Sequence, residues 1–530
     1  MVKDNFLIES ETKYQMESNT TKTHSTILNS SIGTIVQVVQ LLMQFVSRTI
    51  FIHFLGVRYL GLNGLFLNLL GYLNFAELGL GAAITYALYK PLVENDNSQV
   101  SAIMLLLKKW YISISLFVAV AGLILMLFIP QLINGKTDDL GNIQIAFAIS
   151  LSNTVLSYLV SYKRTLLIAD QKSYINSINT VGYNILGQIL QIVGLVFVHS
   201  FYLYLFIQAL TMFLSNLRIS HIANKMYPYL KQRGEEQVDI KTINQMKKNM
   251  GGAISAKIGG IVVNGMDNLL LSYFIGVSAV GLYSNYTMII QGITLIVAQV
   301  LAGATASIGH LGASNKNHNK EITVFYQYFA LSSFLSIFFA VGFVGFSAAF
   351  VTLWVGKELL LSTFTVGIIG INFLLQLIRQ SIVNYTNAYG LYWYERWKPL
   401  FEAVVNFLVS FILVKYTHLG IAAVLLGTII SNLLINFWWE PWIVLKYGVK
   451  SRFKPFLLLY ATYIIIGISS ILVTLALVDN WRGTRLSMGI LISLIGLACA
   501  SCSFWVGNKI FYPKSMLQFS FQSIIDKIRG

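Results

Sequence analysis

Charge is what this chain has least of. Only 11% of its 530 residues are Asp, Glu, Lys or Arg, while 56% are hydrophobic and just seven are proline. A soluble globular chain of this length does not need that balance, and apolar runs of about 20 residues recur from end to end. Segments of about 10 residues with alternating polarity are missing, which excludes an outer-membrane barrel. Cysteine is nearly absent. Cys499 and Cys502 form a CxxC inside an apolar segment, with no second Cys or His cluster, and read as small buried helix residues. No metal site and no cofactor are expected. No GxxxxGK[ST] occurs, so the chain has no ATP-binding P-loop of its own. The first 24 residues lack an apolar h-region, which argues against a cleavable signal peptide and for a cytoplasmic tail. The net charge of +16 is spread over short loops and forms no patch for nucleic acid.

What remains is a polytopic all-α membrane protein. Apolar segments fall at about 27–54, 61–88, 110–129, 143–168, 174–198, 201–221, 251–275, 282–309, 323–354, 361–388, 399–416, 420–445, 456–478 and 486–507, giving fourteen expected helices. With the N-terminus inside, 28 lysines and arginines fall in cytoplasmic segments and six in external loops, so both termini are expected in the cytoplasm. The nine tryptophans sit at or near the expected membrane edges.

The chain repeats itself. Phe54-Leu-Gly-Val-Arg-Tyr-Leu-Gly-Leu62 matches Phe274-Ile-Gly-Val-Ser-Ala-Val-Gly-Leu282 without gaps, an offset of 220 residues. The paired glycines, Gly56 with Gly61 and Gly276 with Gly281, are read as tight turns. The expected organisation is a tail at 1–24, a six-helix lobe at 25–222, a cytoplasmic linker at 223–250, a second six-helix lobe at 251–450, two added helices within 451–507, and a tail at 508–530. Because six is even, the lobes enter the membrane in the same sense, as parallel repeats do.

Polar residues inside hydrocarbon are expensive and by default mark a pathway. In helix one, Gln37, Gln40, Gln44, Ser47 and Arg48 share one sector. Their counterparts in helix seven are Lys257, Gly260, Asn264, Asp267 and Asn268. Helix ten carries Asn372, Gln376, Arg379, Gln380 and Asn387, and helix four Ser150, Asn153, Ser157 and Ser161. Interhelical hydrogen bonding explains many of the Ser and Asn residues. Arg48, Lys257 and Arg379 are expected to line a hydrated cavity. Glu77 and Asp267 are their candidate ion-pair partners, or proton or sodium sites. Three cations against two carboxylates would bias the cavity positive, toward a phosphate or pyrophosphate. His53, His199, His221 and His310 share no metal spacing. The loop Asn134–Asp139 is too short for an external catalytic domain, so no enzyme activity is expected.

Several runs carry a family resemblance. Lys257-Ile-Gly with Asp267-Asn268, Phe274-Ile-Gly-Val, Val280-Gly-Leu-Tyr-Ser-Asn-Tyr-Thr-Met288 and Ala306-Ser-Ile-Gly309 resemble the polysaccharide transporter family. Phe75-Ala-Glu-Leu-Gly79, Leu88-Tyr-Lys-Pro91, Phe401-Glu-Ala-Val-Val-Asn406 and Gly427-Thr-Ile-Ile-Ser431 are similar too. This family comprises the Wzx-type flippases of capsule and exopolysaccharide assembly, in the superfamily that includes the MATE exporters. The resemblance implies two lobes around a cationic cavity opening alternately to each side of the bacterial cell membrane. It implies an oligosaccharide repeat unit on undecaprenyl pyrophosphate as substrate, with Arg48, Lys257 and Arg379 as the cavity's cations. Membrane lipids, a polysaccharide polymerase and glycosyltransferases would be the partners. The competing readings are a peptidoglycan-precursor flippase, a MATE-like exporter of organic cations, and a membrane polymerase of the same lipid-linked sugars.

Overall fold

The computed structural model describes residues 39–73, 84–85, 87–88, 91–92, 94–133, 140–170, 172–231, 265–314, 318–481 and 486–511. Among these there is no strand. The elements are α1 (Val39–Leu73), α2 (Asn97–Phe128), α3 (Ile143–Ser161), α4 (Arg164–Ala169), α5 (Ser173–Val198) and α6 (Phe201–Met226). Next come α7 (265–274), α8 (Val277–Ser314), α9 (His318–Trp354), α10 (Thr363–Tyr389), α11 (Tyr392–Glu395) and α12 (Lys398–Tyr416). The last are α13 (Ile421–Ser431), α14 (Phe437–Ile443), α15 (Phe453–Trp481) and α16 (Leu486–Phe511). Ten helices among the described residues are long and apolar enough to cross a membrane, and two shorter apolar ones accompany them. Large apolar side chains such as Leu116, Leu127, Phe197 and Leu494 point outward, as a lipid-facing surface requires. The protein is therefore an all-α polytopic membrane protein, as its composition implies.

By contact the chain groups into two units that do not follow chain order. One holds residues up to Phe54, Ile84–Leu116 and Ser152–Val238; the other holds Leu55–Ala83, Phe117–Leu151 and everything from Asp239. In the first unit, α5 and α6 form a hairpin whose turn is set by His199 in the left-handed region and by Ser200 capping α6. Phe51 lies edge-on to Phe201 and Tyr204, and Tyr111 to Tyr158. Asn179 donates to the Ser215 carbonyl and hydroxyl, the interhelical glue expected where water is excluded.

The second unit is built on α8, α9, α10 and the α12–α14 hairpin. Tyr286, Phe325, Phe329, Phe373 and Tyr385 are fully buried in it. The added helix α15 joins this core, its Phe456 and Tyr463 packing on Phe329.

The two copies of the repeated motif meet within this unit. A Cβ on Gly61 would lie 1.7 Å from the Val277 carbonyl oxygen, and one on Gly281 would lie 2.4 Å from the Val57 carbonyl oxygen. Val57 and Val277 differ by the same 220 residues as Gly61 and Gly281, so the contact is reciprocal, as an interface about a two-fold axis must be. Small residues let the backbones touch. The turn reading of the glycines is thus half right. Gly56 at φ +81° and Gly276 at φ +118° hold turns that other residues resist. Gly61 and Gly281 lie within helices and serve close approach. Gly56 also breaks α1, whose 35 residues would otherwise run roughly 50 Å, too long for one crossing.

Gly61→Ala and Gly281→Ala should each cost about 1–3 kcal/mol, the range for overpacking a tight contact. Gly71→Ala, whose Cβ would meet nothing within 4 Å, should leave stability unchanged. Thermal unfolding of the detergent-solubilised variants compares the three.

Candidate functional site

Two polar ladders face each other in the second unit. On α12, Lys398, Glu402, Asn406 and Ser410 recur every four residues, and all four are buried. On the next helical stretch Thr428, Asn432, Asn436 and Glu440 recur at the same interval. Residues four apart share a helix face, so a short turn at 417–420 brings one stripe against the other. The rungs are hydrogen-bonded. Ser410 donates to the Val424 carbonyl, Asn406 to Thr428 Oγ1 at 3.0 Å, and Asn436 to Glu402 Oε1 at 2.6 Å. Lys398 Nζ pairs with Glu440 at the far end. The stretch Asn432–Asn436 is π-helical, a local widening frequent at functional sites. Asn432 and Asn436 both reach the charged groups from it.

Arg379 enters this ladder from α10. Its Nε donates to both Glu440 carboxylate oxygens at 2.8 Å, and its Nη1 to Glu402 Oε1 and Asn432 Oδ1, each at 3.3 Å. Lys398 lies 3.6 Å from Glu402 Oε2. Two cations and two carboxylates therefore interlock inside apolar helices, where a lone charge would cost several kcal/mol. Asp267, on α7, accepts from Thr428 Oγ1 at 3.1 Å.

A cavity of about 850 Å³ opens beside this network. Its wall carries six amide side chains: Asn68, Asn268, Gln291, Asn372, Gln376 and Asn432. Hydroxyls come from Tyr283, Thr287, Thr294 and Thr428, and charges from Asp267, Glu402, Arg379 and Lys398. The volume suits a ligand of several hundred ångström cubed, and the amides offer donors and acceptors together.

Five residues expected from the sequence meet here: Asp267, Asn268, Asn372, Gln376 and Arg379. Gln44 and Arg48 belong to the other unit, where Gln44 is exposed and Arg48 lies near Tyr204. Gln37, Glu77, Lys257 and Asn264 fall outside the described residues. The expected positive bias does not hold for this cavity. A count of two intramembrane carboxylates leaves out Glu402 and Glu440, which lie within the segments 399–416 and 420–445. With Glu402 included, the wall itself carries two acids, Asp267 and Glu402, against two bases, Arg379 and Lys398, and Glu440 pairs with those bases from behind it. Lys398, counted with the cytoplasmic cations, is buried against them. The four-residue spacing on α12 was the readable signal for this missed half of the site.

Just outside the spans, Glu395 on α11 accepts from Thr386 Oγ1 at 3.1 Å. Burial first, and then the Glu440 charge, push its carboxyl up to about 7, against the opposing pull of Lys398, Thr386 and Arg379.

Several solved structures share this fold. Lipid II flippase MurJ in an inward closed conformation aligns with TM-score 0.62 at 13% identity, covering 89% of this chain and 98% of that one. An inward-facing multidrug resistance MATE family transporter of the MOP superfamily aligns with TM-score 0.57 at 16% identity, covering 77% and 94%. MATE in complex with MaD3S gives 0.51 at 15%, covering 79% and 95%. At such identities the likeness establishes the fold: that of the MurJ and MATE transporters. No protein-family model matches the chain, and no curated protein matches it.

Glu440→Gln should destabilise the protein by about 3–5 kcal/mol by stranding Arg379 and Lys398. Adding Arg379→Gln should restore part of that loss, a coupling that a double-mutant cycle of unfolding free energies reads out. Glu395 holds its proton more tightly folded than unfolded. Its contribution is therefore full below the ordinary value of 4.5 and lost as pH rises through about 7. Wild-type thermal stability should fall across that window, and Glu395→Gln should flatten the fall.

Proposed function

We propose that this protein is a flippase that carries oligosaccharide repeat units on undecaprenyl pyrophosphate from the inner to the outer leaflet for capsule or exopolysaccharide assembly. The supporting observation is the cavity: about 850 Å³, enclosed by membrane-spanning helices and walled by amides and hydroxyls. Sugars present rings of hydroxyls, each both donor and acceptor, and side-chain amides match them in kind. The head group would occupy this polar space while the polyprenyl tail stays in lipid. No covalent chemistry is needed.

The moving parts in this reading are the two copies of the repeat, at 25–222 and 251–450, with both termini in the cytoplasm. In that topology the part of α1 around Arg58 is external. The reciprocal contact of Gly61 and Gly281 then lies toward the outer side, where it would have to part for release. Arg48 and Lys257 are the proposed contacts of the diphosphate. Arg379 is not, because Glu402 and Glu440 already answer its charge.

A flippase for the peptidoglycan precursor is the second reading, favoured by the shared fold with the lipid II flippase MurJ. An exporter of organic cations is less suited to a wall in which Glu402 is already paired with Arg379 and Lys398, which leaves Asp267 as the one wall carboxylate not paired with a cation among the described residues.

In spheroplasts depleted of the protein, the lipid-linked oligosaccharide should accumulate intact but inaccessible to a membrane-impermeant lectin. Wild type should restore exposure, and Asn372→Leu with Gln376→Leu should not. Accumulation on the outer face would instead place the block downstream, at polymerisation. Accumulation of lipid II alone would move the assignment to the second reading.

A further inference from the structure

The first unit holds a second group of cations, half-buried, and their surroundings differ from those of Arg379. Lys163 and Arg164 sit at the turn between α3 and α4, against one face of α6. Arg164 Nη2 donates to Asn216 Oδ1 at 2.6 Å and to Ser215 Oγ at 3.4 Å. Lys163 Nζ donates to Asn224 Oδ1 at 2.7 Å and to Ser220 Oγ at 3.0 Å. Asn216, Ser220 and Asn224 follow one another at four-residue intervals, so a single helix face supplies these acceptors. All of them are neutral. Among the described residues neither cation is paired with a carboxylate, and the charge that acts on Lys163 is that of another cation, Lys108. Arg164 Nε is buried and has no hydrogen-bond partner.

A cation taken out of water is normally matched by an acid, as Arg379 is. Here the neutral acceptors fix the two head groups in place and leave their charge unanswered. A guanidinium and an ammonium so oriented, with donors still unused, are the donor set that phosphoryl oxygens take. Asn179, which is buried and shares Ser215 with Arg164, holds the arginine's neighbour in position.

We propose that Lys163 and Arg164, with Lys108 adding to the field, form a binding site for a phosphate-type anion. In the topology above this corner faces the cytoplasm, and the anion would be the diphosphate of the incoming lipid-linked substrate, met here before it passes to Arg48 and Lys257. That identification of the source rests on the flippase reading; the anion site itself does not.

The test uses the full chain in nanodiscs of phosphatidylcholine, titrated by calorimetry with inorganic pyrophosphate and, separately, loaded with a polyprenyl diphosphate. Wild type should bind, and Arg164→Gln and Lys163→Gln should each weaken binding about tenfold or more. Lys163→Arg should keep it, and Lys357→Gln, at an exposed lysine of the other unit, should not alter it. Lys163 is only half-buried, so its variant gives an answer even where Arg164→Gln fails to fold. Tighter binding of the polyprenyl diphosphate than of pyrophosphate assigns the site to a lipid headgroup, and equal binding assigns it to free anions. Binding by Lys163→Gln as tight as wild type, or no binding of either probe to wild type, overturns the site. A protein that binds through these residues yet exposes no oligosaccharide keeps the site and loses the flippase reading.

Discussion

A charge carried into a membrane interior must find its opposite there or be left with several kcal/mol of unrecovered solvation. Arg379 shows how this chain meets that constraint. It takes Glu440 through two oxygens and Glu402 through a third, while Lys398 closes the ring from the next helix. Four ionic groups on three helices then behave as one neutral object. That object fixes α10 against the α12–α14 hairpin, and it also decides the character of the cavity beside it. With these four charges spent on one another, the wall offers a ligand mainly amides and hydroxyls, with the Asp267 carboxylate beside them. On the proposed reading, an uncharged polyhydroxylated body would occupy that space, and the anchoring phosphate would be met elsewhere.

The second constraint is symmetry. A duplicated unit that packs against its own copy must present the same surface twice, and only glycine permits the backbone contact seen between Gly61 and Val277 and between Gly281 and Val57. The same glycine therefore serves the same contact in both copies of the motif. Gly56 and Gly276 answer a different demand, a positive φ at a helix break.

The fold was largely legible in the sequence, because apolar run length alone locates membrane helices. Segments read at 174–198, 361–388 and 456–478 correspond to Ser173–Val198, Thr363–Tyr389 and Phe453–Trp481. The site was legible only in part. Asn372, Gln376 and Arg379 stood out as a stripe in an otherwise apolar helix, and Asp267 and Asn268 through the repeat. Glu402 and Glu440 did not, since each is a single acid near the end of an apolar segment, where a charge usually reaches water. The four-residue spacing of Lys398, Glu402, Asn406 and Ser410 marks a polar helix face, but the pairing across the hairpin that makes these acids interior is a property of three dimensions. The same holds for Lys163 and Arg164: as loop cations they signal topology, and only their half-buried setting among neutral acceptors marks them as more.

The most direct test of the central claim is reconstitution of the purified protein in liposomes containing a lipid-linked oligosaccharide, with an added impermeant glycosidase trimming whatever sugar reaches the outer leaflet. A flippase predicts that trimming proceeds beyond the outer-leaflet half toward completion, and only in vesicles that contain the protein. Trimming that stops at the same plateau with and without it would contradict the assignment.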